Sequence, residues 1–355
     1  MALRFAVTTL PAHGVTTAGL RAGRWHCHSA PVRHKNLRSN AGVHCGSLWS
    51  CFHHCLKVCC AGRGTSRALV QADSWGNLVV AFDVPDAHDQ LSVTGTSTVE
   101  THPAGERPRA GWEDIGDPRA LDRLAELLVP TPLTALPDEL AGECDRLRAT
   151  ADPATATEEA VAALRQRLRY ERGGTDTMTT AAGAWAAGHG VCQDFAHLTL
   201  AILRHLGIPG RYVSGYVHPL AEAAPGETVD GESHAWVEAW TGGWWGIDPA
   251  NDAPAGHRHV IVARGRDYAD VPPIKGVYAG PAQQQMTVTV RITRARLRWL
   301  AAAPGLTASP RAPLPFGINV FVIWCRLSLP RPAVARLSRS PTCPCRGLSL
   351  RAGRR

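Results

Sequence analysis

One cysteine, Cys192, lies where a reactive thiol could be of use. It follows the glycine-rich turn at residues 188–190, and the apolar residues after it recur at helical spacing: Phe195, Leu198, Ala201 and Ile202. This pattern predicts a helix that begins at Cys192 and ends near Gly207 and Pro209. The first turn of a helix carries partial positive charge, which favours a thiolate over a thiol. Asp194 in that turn opposes a second negative charge, so we expect it to help the helix start or to pair with an arginine or histidine elsewhere.

His234 and Asp248 supply the other two groups that a thiolate needs for acyl transfer, a base and a group that orients the base. His234 opens a predicted strand after a flexible acidic loop at residues 220–233, and Asp248 ends the next strand after the turn Gly242-Gly243. Antiparallel strands would bring the two side chains together, so the imidazole could take the thiol proton while the carboxylate holds its tautomer. Taken singly, each residue also fits a structural role: a buried cysteine, a core histidine and an Asp-Pro turn.

The elements that must position these residues change from helices to strands along the chain. Residues 69–101 alternate apolar and polar side chains, which predicts short strands, and a Pro/Gly-rich linker follows. Two helices are predicted next, with Cys144 as a small buried hydrophobe on the second, and Thr157 opens a third. Helices followed by antiparallel strands indicate an α+β fold, with the cysteine-bearing helix packed on the sheet. The strands after that helix are predicted at 211–217, 234–240, 244–249, 259–265 and 286–293.

Charge and cysteine content separate the two ends of the 355-residue chain from its centre. The ends, 1–72 and 295–355, hold 20 of the 38 Lys and Arg residues and none of the 30 Asp and Glu residues, so the centre has a net charge of −12 although the whole chain is +8. An acidic centre argues against a nucleic-acid partner. Nine of the eleven cysteines also lie in the ends. A centre with two distant cysteines suits a reducing compartment, which predicts a cytoplasmic protein.

The two ends themselves resemble no structured element. The spacing in CFHHCLKVCC (Cys51 to Cys60) lacks the ordered second ligand pair of a zinc site, and the acid-free start lacks the apolar region of a targeting peptide. We expect residues 1–68 and 295–355 to be disordered or not native coding sequence. The longest apolar run in the tail, Leu314 to Cys325, is about half the roughly 20 residues of a membrane span, so no membrane association is predicted.

The remaining candidate ligands in the centre form no metal pattern. Four histidines lack carboxylates at metal spacing, and no acidic loop of the calcium-binding type is present. We therefore predict no metal and no cofactor, and we expect these histidines to be structural or exposed. We likewise expect Asn251-Asp252, Asp267 and Asp270 to be acidic turns only. The four histidines are His189, His197, His257 and His259.

Five ordered blocks of the sequence resemble the bacterial transglutaminase-like superfamily. They read GVCQDFAHL, LGIPGRYVSGY, SHAWVEAW, GWWGIDPAND and HVIVARGRDYADVPPIKGVYAG. The resemblance extends back through YERGGTDTMTTAAGAW to the strands around Asp73-Ser74-Trp75-Gly76-Asn77, and so covers about residues 69–294. It implies a papain-like α+β core at 117–294, preceded at 69–116 by a linker and the second half of an N-terminal β-domain. Residues 1–68 and 295–355 fall outside it.

The resemblance also implies roles for the residues of the site. Cys192 is expected to be the nucleophile, His234 the general base and acid, and Asp248 the orienting group, with the backbone N–H of Cys192 in the oxyanion hole. Tyr216 and Trp236 are the candidates for lining the substrate cleft, with core packing the favoured role for the tryptophan. The second oxyanion donor and the oligomeric state are left open.

Three functions are compatible with this resemblance. The first is thiol-dependent cleavage of an amide or peptide bond in a peptide or protein substrate, through a thioester intermediate. The second is transfer of a glutamine acyl group to an amine acceptor, which shares the first half-reaction. The third is a non-catalytic scaffold or binding domain, against which the presence of all three residues argues. We expect hydrolysis, because many bacterial members of the superfamily are peptidases or amidases and water is always available.

Overall fold

The helices of the protein are concentrated between residues 112 and 205. The computed structural model describes residues 2–10, 54–60, 69–84, 91–220, 222–279, 287–294 and 322–328. Short 3₁₀ turns occur at Ala125–Leu127, Asp138–Leu140 and Tyr268–Asp270. The described α-helices are α1 (Trp112–Ile115), α2 (Pro118–Leu124), α3 (Ala141–Arg148), α4 (Pro153–Arg167), α5 (Ala181–Ala187) and α6 (Cys192–His205).

Most strands lie on either side of this helical segment. Those before it are β1 (Ala2–Leu10), β2 (His54–Cys60), β3 (Leu69–Ala72), β4 (Leu78–Val84) and β5 (Leu91–Glu100). Two short strands, β6 (Arg169–Tyr170) and β7 (His189–Gly190), lie within it. Those after it are β8 (Gly210–Val217), β9 (Thr228–Gly231), β10 (Ser233–Trp240), β11 (Trp244–Asp248), β12 (Ala253–Pro254), β13 (His259–Gly265), β14 (Ile274–Ala279), β15 (Thr287–Arg294) and β16 (Val322–Ser328).

A five-stranded antiparallel sheet, which we call the central sheet, carries the predicted site residues other than Cys192. Its strand order is β12-β11-β10-β8-β13. Strands β10 and β11 form a hairpin in which Val237 pairs with Ile247. The predicted strands at 211–217, 234–240, 244–249 and 259–265 are therefore confirmed to within one residue at each end. Helices that precede a meander of antiparallel strands confirm the α+β class.

Helix α6 lies between the central sheet and the other helices. One side contributes Ala196 and Leu200 to a core cluster shared with the strands. The other side contributes all four residues of the predicted apolar spacing to a cluster shared with α3, α4 and α5. Residues 193–204 are consequently all buried. The helix that carries Cys192 is thus held on every side, which fixes the position of its first turn.

The start of α4 and the loop at residues 220–233 differ from their predictions. Helix α4 begins at Pro153 rather than at Thr157, because the side chain of Asp152 caps it by accepting a hydrogen bond from the backbone N–H of Thr155 at 2.8 Å. The loop predicted at residues 220–233 contains strand β9, which pairs with β15. The segment that leads into His234 is therefore tied to a second sheet.

The strands outside the central sheet form a five-stranded and a four-stranded sheet, and β6 and β7 form a two-stranded one. The five-stranded sheet has the order β2-β5-β1-β15-β9 and the four-stranded sheet the order β14-β16-β4-β3. Three of their strands, β1, β2 and β16, come from the ends of the chain, whose other residues lie outside the described ranges. The domain boundaries at residues 69, 117 and 295 stay predictions. None of the helices in the described ranges is both long and apolar enough to cross a membrane.

Candidate active site

Cys192 is the first residue of α6, as predicted, and the turn before it leaves no room for a side chain at its two glycines. Gly188 ends α5 with φ 71°, a conformation that favours glycine. A Cβ atom on Gly190 would lie 2.7 Å from the Cβ of Asp194. The close approach of this turn to the helix sets the thiol at the helix N-terminus, partly exposed, where the first N–H groups have no acceptor within the helix.

Asp194 helps the helix start, which is one of the two roles expected for it. Its Oδ2 accepts hydrogen bonds from the backbone N–H of Val191 and from the hydroxyl of Thr175, both at 2.7 Å. Burial raises the pKa of this carboxyl above its ordinary value, against the effect of these hydrogen bonds. The neighbouring Gln193 donates its amide N–H to the carbonyl of Asp176 at 3.2 Å. The first turn of α6 is thus anchored to the segment that precedes α5.

His234 and Asp248 are brought together by the hairpin of β10 and β11. The Nε2 of His234 lies 2.7 Å from the Oδ2 of Asp248. The imidazole is 12% exposed and the carboxylate is completely buried. The expected contact between the ends of the two strands is therefore present, and the buried carboxylate fixes the imidazole in one orientation.

The imidazole of His234 also interacts with Cys192. Burial by itself would lower the pKa of His234, but hydrogen bonds with Asp248 and with the Cys192 side chain, and the charges of both groups, raise it to about 10. Because Nε2 faces Asp248, the other ring nitrogen, Nδ1, is the one left for the sulfur. A protonated imidazole beside a buried carboxylate is the charge arrangement that this geometry favours.

Asp248 is surrounded by hydrogen-bond donors. Its Oδ2 also accepts from the Nδ2 of Asn251 at 2.7 Å and from the Nε2 of His259 at 3.2 Å. Its Oδ1 accepts from the backbone N–H groups of Ala250 at 3.2 Å and Asn251 at 3.1 Å. Burial alone would raise the pKa of Asp248, but the donors and the nearby imidazole of His234 hold it far below the ordinary value. The group therefore remains a carboxylate throughout the working range of pH.

Sequence reasoning missed two residues of this cluster. Asn251 was expected to be part of an acidic turn only, yet its side chain contacts both Asp248 and, at 3.3 Å, the Nε2 of His234. The three-residue spacing from Asp248 is a local signal that could have indicated this contact. His259 was expected to be structural or exposed, and it reaches Asp248 from a different strand. Only the strand order, which the sequence does not report, reveals that contact.

The two residues expected to line the cleft are buried instead. Trp236 is 0% exposed and Tyr216 is 7% exposed, so neither offers a surface to a substrate. The Trp236 ring lies against His234, with a centroid distance of 6.3 Å, and meets His259 edge-on at 5.1 Å. Gly215 makes room for this ring, because a Cβ there would lie 2.4 Å from it. Trp236 therefore packs against both histidines, which agrees with a role in core packing.

Other histidines of the described residues lie apart from this cluster. His197 is fully buried on α6, and its Nε2 accepts from the backbone N–H of Tyr268 at 3.3 Å. Burial lowers the pKa of His197 to about 4, which agrees with a structural role. His257 is exposed. No group of three or more potential ligands that could hold a metal ion occurs in the part of the chain that the structure describes.

Comparison with known proteins places the chain in a family. The family model of the transglutaminase-like superfamily matches residues 144–249, which contain Cys192, His234 and Asp248. The uncharacterized protein ML0607 of Mycobacterium leprae is 43% identical over 230 residues, which cover 64% of this chain and 82% of that protein. The uncharacterized protein Rv2569c of Mycobacterium tuberculosis is 33% identical over 258 residues, covering 65% of this chain and 77% of that protein. The chain belongs to the transglutaminase-like superfamily.

A solved structure is similar over a large part of the chain. It is that of a Cytophaga hutchinsonii protein proposed to be a cysteine protease, with a TM-score of 0.48 and 18% sequence identity. The match covers 84% of this chain and 92% of that protein.

Proposed function

We propose that the protein cleaves an amide or peptide bond with Cys192 as the nucleophile, His234 as the general base and acid, and Asp248 as the orienting group. The observation that carries the proposal is that the imidazole of His234 is hydrogen-bonded to a buried carboxylate, while Asp248 and the Cys192 side chain at the start of α6 raise its pKa against the effect of burial. Because Nε2 faces Asp248, Nδ1 is the ring nitrogen left for the thiol, which is the arrangement that acyl transfer by a thiolate requires. Membership of the superfamily supports it.

In the first half-reaction, the thiolate of Cys192 attacks the carbonyl carbon of the substrate and the C=O π pair moves to oxygen. As the first residue of α6, Cys192 has a backbone N–H without an acceptor inside the helix, and this N–H would donate to the oxyanion. When the oxyanion collapses, the C–N bond breaks and the imidazolium of His234 gives its Nδ1 proton to the leaving amine. The products are a free amine, a thioester on Cys192 and a neutral imidazole.

In the second half-reaction, the neutral imidazole of His234 takes a proton from water as the water attacks the thioester. The carboxylic acid leaves, and the thiolate and the imidazolium are restored. Asp248 remains ionised throughout, because five donors stabilise its charge. It holds the Nε2 of His234, while Nδ1 gives up the proton in the first half-reaction and takes one back in the second. An amine in place of water would turn the same thioester into an acyl-transfer product.

We propose a peptide or protein as the substrate and a reducing compartment as the location. A thiol can act as a nucleophile only while it is reduced, and both described central cysteines, Cys144 and Cys192, are free thiols. We place the protein in the cytoplasm on this ground. Cys144 is buried on α3, and burial raises its pKa to about 11. It therefore serves as an unreactive internal control.

The first half-reaction is tested with p-nitrophenyl acetate, a minimal acyl donor, and the full chain. Wild-type protein should release a burst of p-nitrophenol and carry an acetyl group on Cys192, located by peptide mass spectrometry. Cys192→Ala should abolish the burst, His234→Ala should reduce it nearly as much, and Asp248→Asn should leave more activity. Cys144→Ala should match the wild type.

The acceptor is tested next with a casein digest. Free amine is measured with and without added cadaverine, a lysine-like amine. Hydrolysis predicts new carboxyl groups and no cadaverine incorporation, whereas an acyltransferase would incorporate the amine. A burst that survives Cys192→Ala would refute the proposed nucleophile, and a folded wild-type protein without any burst would favour a scaffold.

A further inference from the structure

Asp248 binds a second histidine that the proposed reaction does not use. His259 is the first residue of β13, and its Nε2 lies 3.2 Å from the same Oδ2 that receives His234. In the central sheet, β13 is separated from β10 by β8, so His259 approaches the carboxylate from another side of the cluster. The side chain of His259 is 10% exposed, and the carboxylate is fully buried. The contact is thus part of the protein interior.

The hydrogen on the His259 ring can be placed from its other contact. The Nδ1 of His259 accepts the backbone N–H of Gly256 at 3.1 Å. A ring nitrogen that accepts a hydrogen bond carries no hydrogen, so in the neutral ring the hydrogen is on Nε2 and points at Asp248. A hydrogen on Nδ1 would place two donors face to face. His259 therefore acts as a donor of fixed direction.

The two histidines also pack against the same residue, Trp236. The Trp236 ring lies under His234 and meets His259 edge-on, and the two imidazole centroids are 6.5 Å apart. One tryptophan and one carboxylate oxygen consequently hold both rings. They differ in their remaining nitrogen, because that of His259 accepts a backbone N–H, whereas that of His234 is left for the thiol of Cys192.

We propose that His259 is a positioning residue that holds the Asp248 carboxylate, so that His234 alone carries the proton of the reaction. The proposal rests on the proposed roles of Cys192 and His234 and adds a fourth side chain to the site. His259 acts through Asp248, and it fixes the oxygen that orients His234. Without its N–H, the carboxylate would turn toward the donors that remain, on Asn251 and the backbone, and its hold on His234 would weaken.

The other polar groups around this cluster belong to the same unit or lie behind it. Asn251 donates to Asp248, and Cys192 faces His234. Behind the loop, Arg165 donates to the carbonyl oxygen of Ala250 and pairs with Asp252 at 3.7 Å. The Arg165–Asp252 pair is substantially exposed, so its influence on the carboxylate is small.

The test compares variants of the full chain by the rate at which iodoacetamide alkylates Cys192, read at that residue by peptide mass spectrometry across a range of pH. His259→Phe keeps a ring against Trp236 but removes the donor. His259→Gln keeps an N–H near the position of Nε2. Exposed His257→Phe is the matched control. We expect His259→Phe to lower the rate at neutral pH about tenfold, the usual effect of one hydrogen bond to a charged group.

His259→Gln and His257→Phe should both stay close to the wild type. Equal rates in wild type and His259→Phe, or an equal loss in the Phe and Gln variants, would overturn the proposal. Because alkylation needs no substrate, this result is independent of whether an amide is ever cleaved. A wild-type rate that does not depend on His234 would instead show that the triad itself has failed.

A measurement on the wild-type protein covers the case in which His259→Phe does not fold. Nitrogen NMR of histidine-labelled protein, with His259→Gln used to assign the signal, reports which ring nitrogen carries the hydrogen. We expect His259 to be protonated on Nε2 and bare on Nδ1 at neutral pH. A ring with its hydrogen on Nδ1 could not donate to Asp248, and that result would overturn the proposal.

Discussion

The replacement Asp248→Asn tests how much of the site depends on one buried carboxylate. Five donors point at its two oxygens, three at Oδ2 and two at Oδ1. An asparagine has the same shape but a single acceptor oxygen, and its NH₂ group must face one of the two sets. The less costly choice puts the NH₂ toward the backbone N–H groups of Ala250 and Asn251. Two hydrogen bonds to a charged group are then lost, and the other three lose the charge.

The cost follows from these contacts. A hydrogen bond to a charged group contributes about 1.5–3 kcal/mol, and the two bonds at Oδ1 are long, so the low end applies. The free energy of unfolding should therefore fall by about 3 kcal/mol, at the lower end of the cost of breaking a buried ion pair. Because the pKa of Asp248 lies far below its ordinary value, its contribution is present above the unfolded value of about 3.9 and is lost as the pH falls further.

The assay is urea unfolding followed by tryptophan fluorescence at neutral pH. The variants can be compared if the slope of the free energy of unfolding against urea concentration is unchanged. Asp252→Asn is the matched control in the same loop. Asp252 is 63% exposed, pairs with Arg165 at 3.7 Å and has φ 52°, a conformation that asparagine tolerates well. Its replacement should change the free energy of unfolding by less than about 1 kcal/mol. The reasoning is refuted if the two variants are destabilised to the same extent.

Two further predictions concern the way in which the site is held. Asn77→Ala removes a buried amide that pairs with both backbone groups of Arg264, so the free energy of unfolding should fall by about 2 kcal/mol in urea titrations. A loss no larger than that of the exposed Ser74→Ala would contradict it. The pKa of His234 is raised from 6.5 to about 10, so its protonated imidazole stabilises the folded protein. This contribution is fully present below pH 6.5 and is lost progressively as the pH rises toward 10. Stability should therefore decline across this range, and His234→Ala should flatten the decline.

Local patterns in the sequence predicted the site well where the relevant contact is itself local. The start of α6 at Cys192 follows from the apolar spacing and the glycine turn, and both are properties of neighbouring residues. The contact of His234 with Asp248 follows from a hairpin with a tight turn, which places the strand ends side by side. The contact of Asn251 with Asp248, three residues earlier, is also local. It was not predicted, because Asn251 was assigned together with Asp252 to an acidic turn.

Contacts that depend on strand order could not be predicted in this way. His259 reaches Asp248 only because β13 is added to the sheet on the far side of β8, and no period in the sequence states which strand neighbours which. For Trp236 both the cleft and the core were open, because alternation gives the face of a side chain but not what covers that face. Asn77 is a further case, since its amide contacts β13 across 187 residues of chain.

The arrangement around Asp248 couples the chemistry of the site to the stability of the fold. The carboxylate receives donors from β10, from the loop after β11 and from β13, so it holds together elements that are distant in the sequence. Leaving a buried charge without one of its partners costs free energy, so displacing any of these donors is unfavourable. His234 gains a fixed orientation from a group that the fold already holds in place. A change that frees the imidazole must also loosen the sheet, and the alkylation rate of Cys192 and the free energy of unfolding should fall together across variants of this cluster.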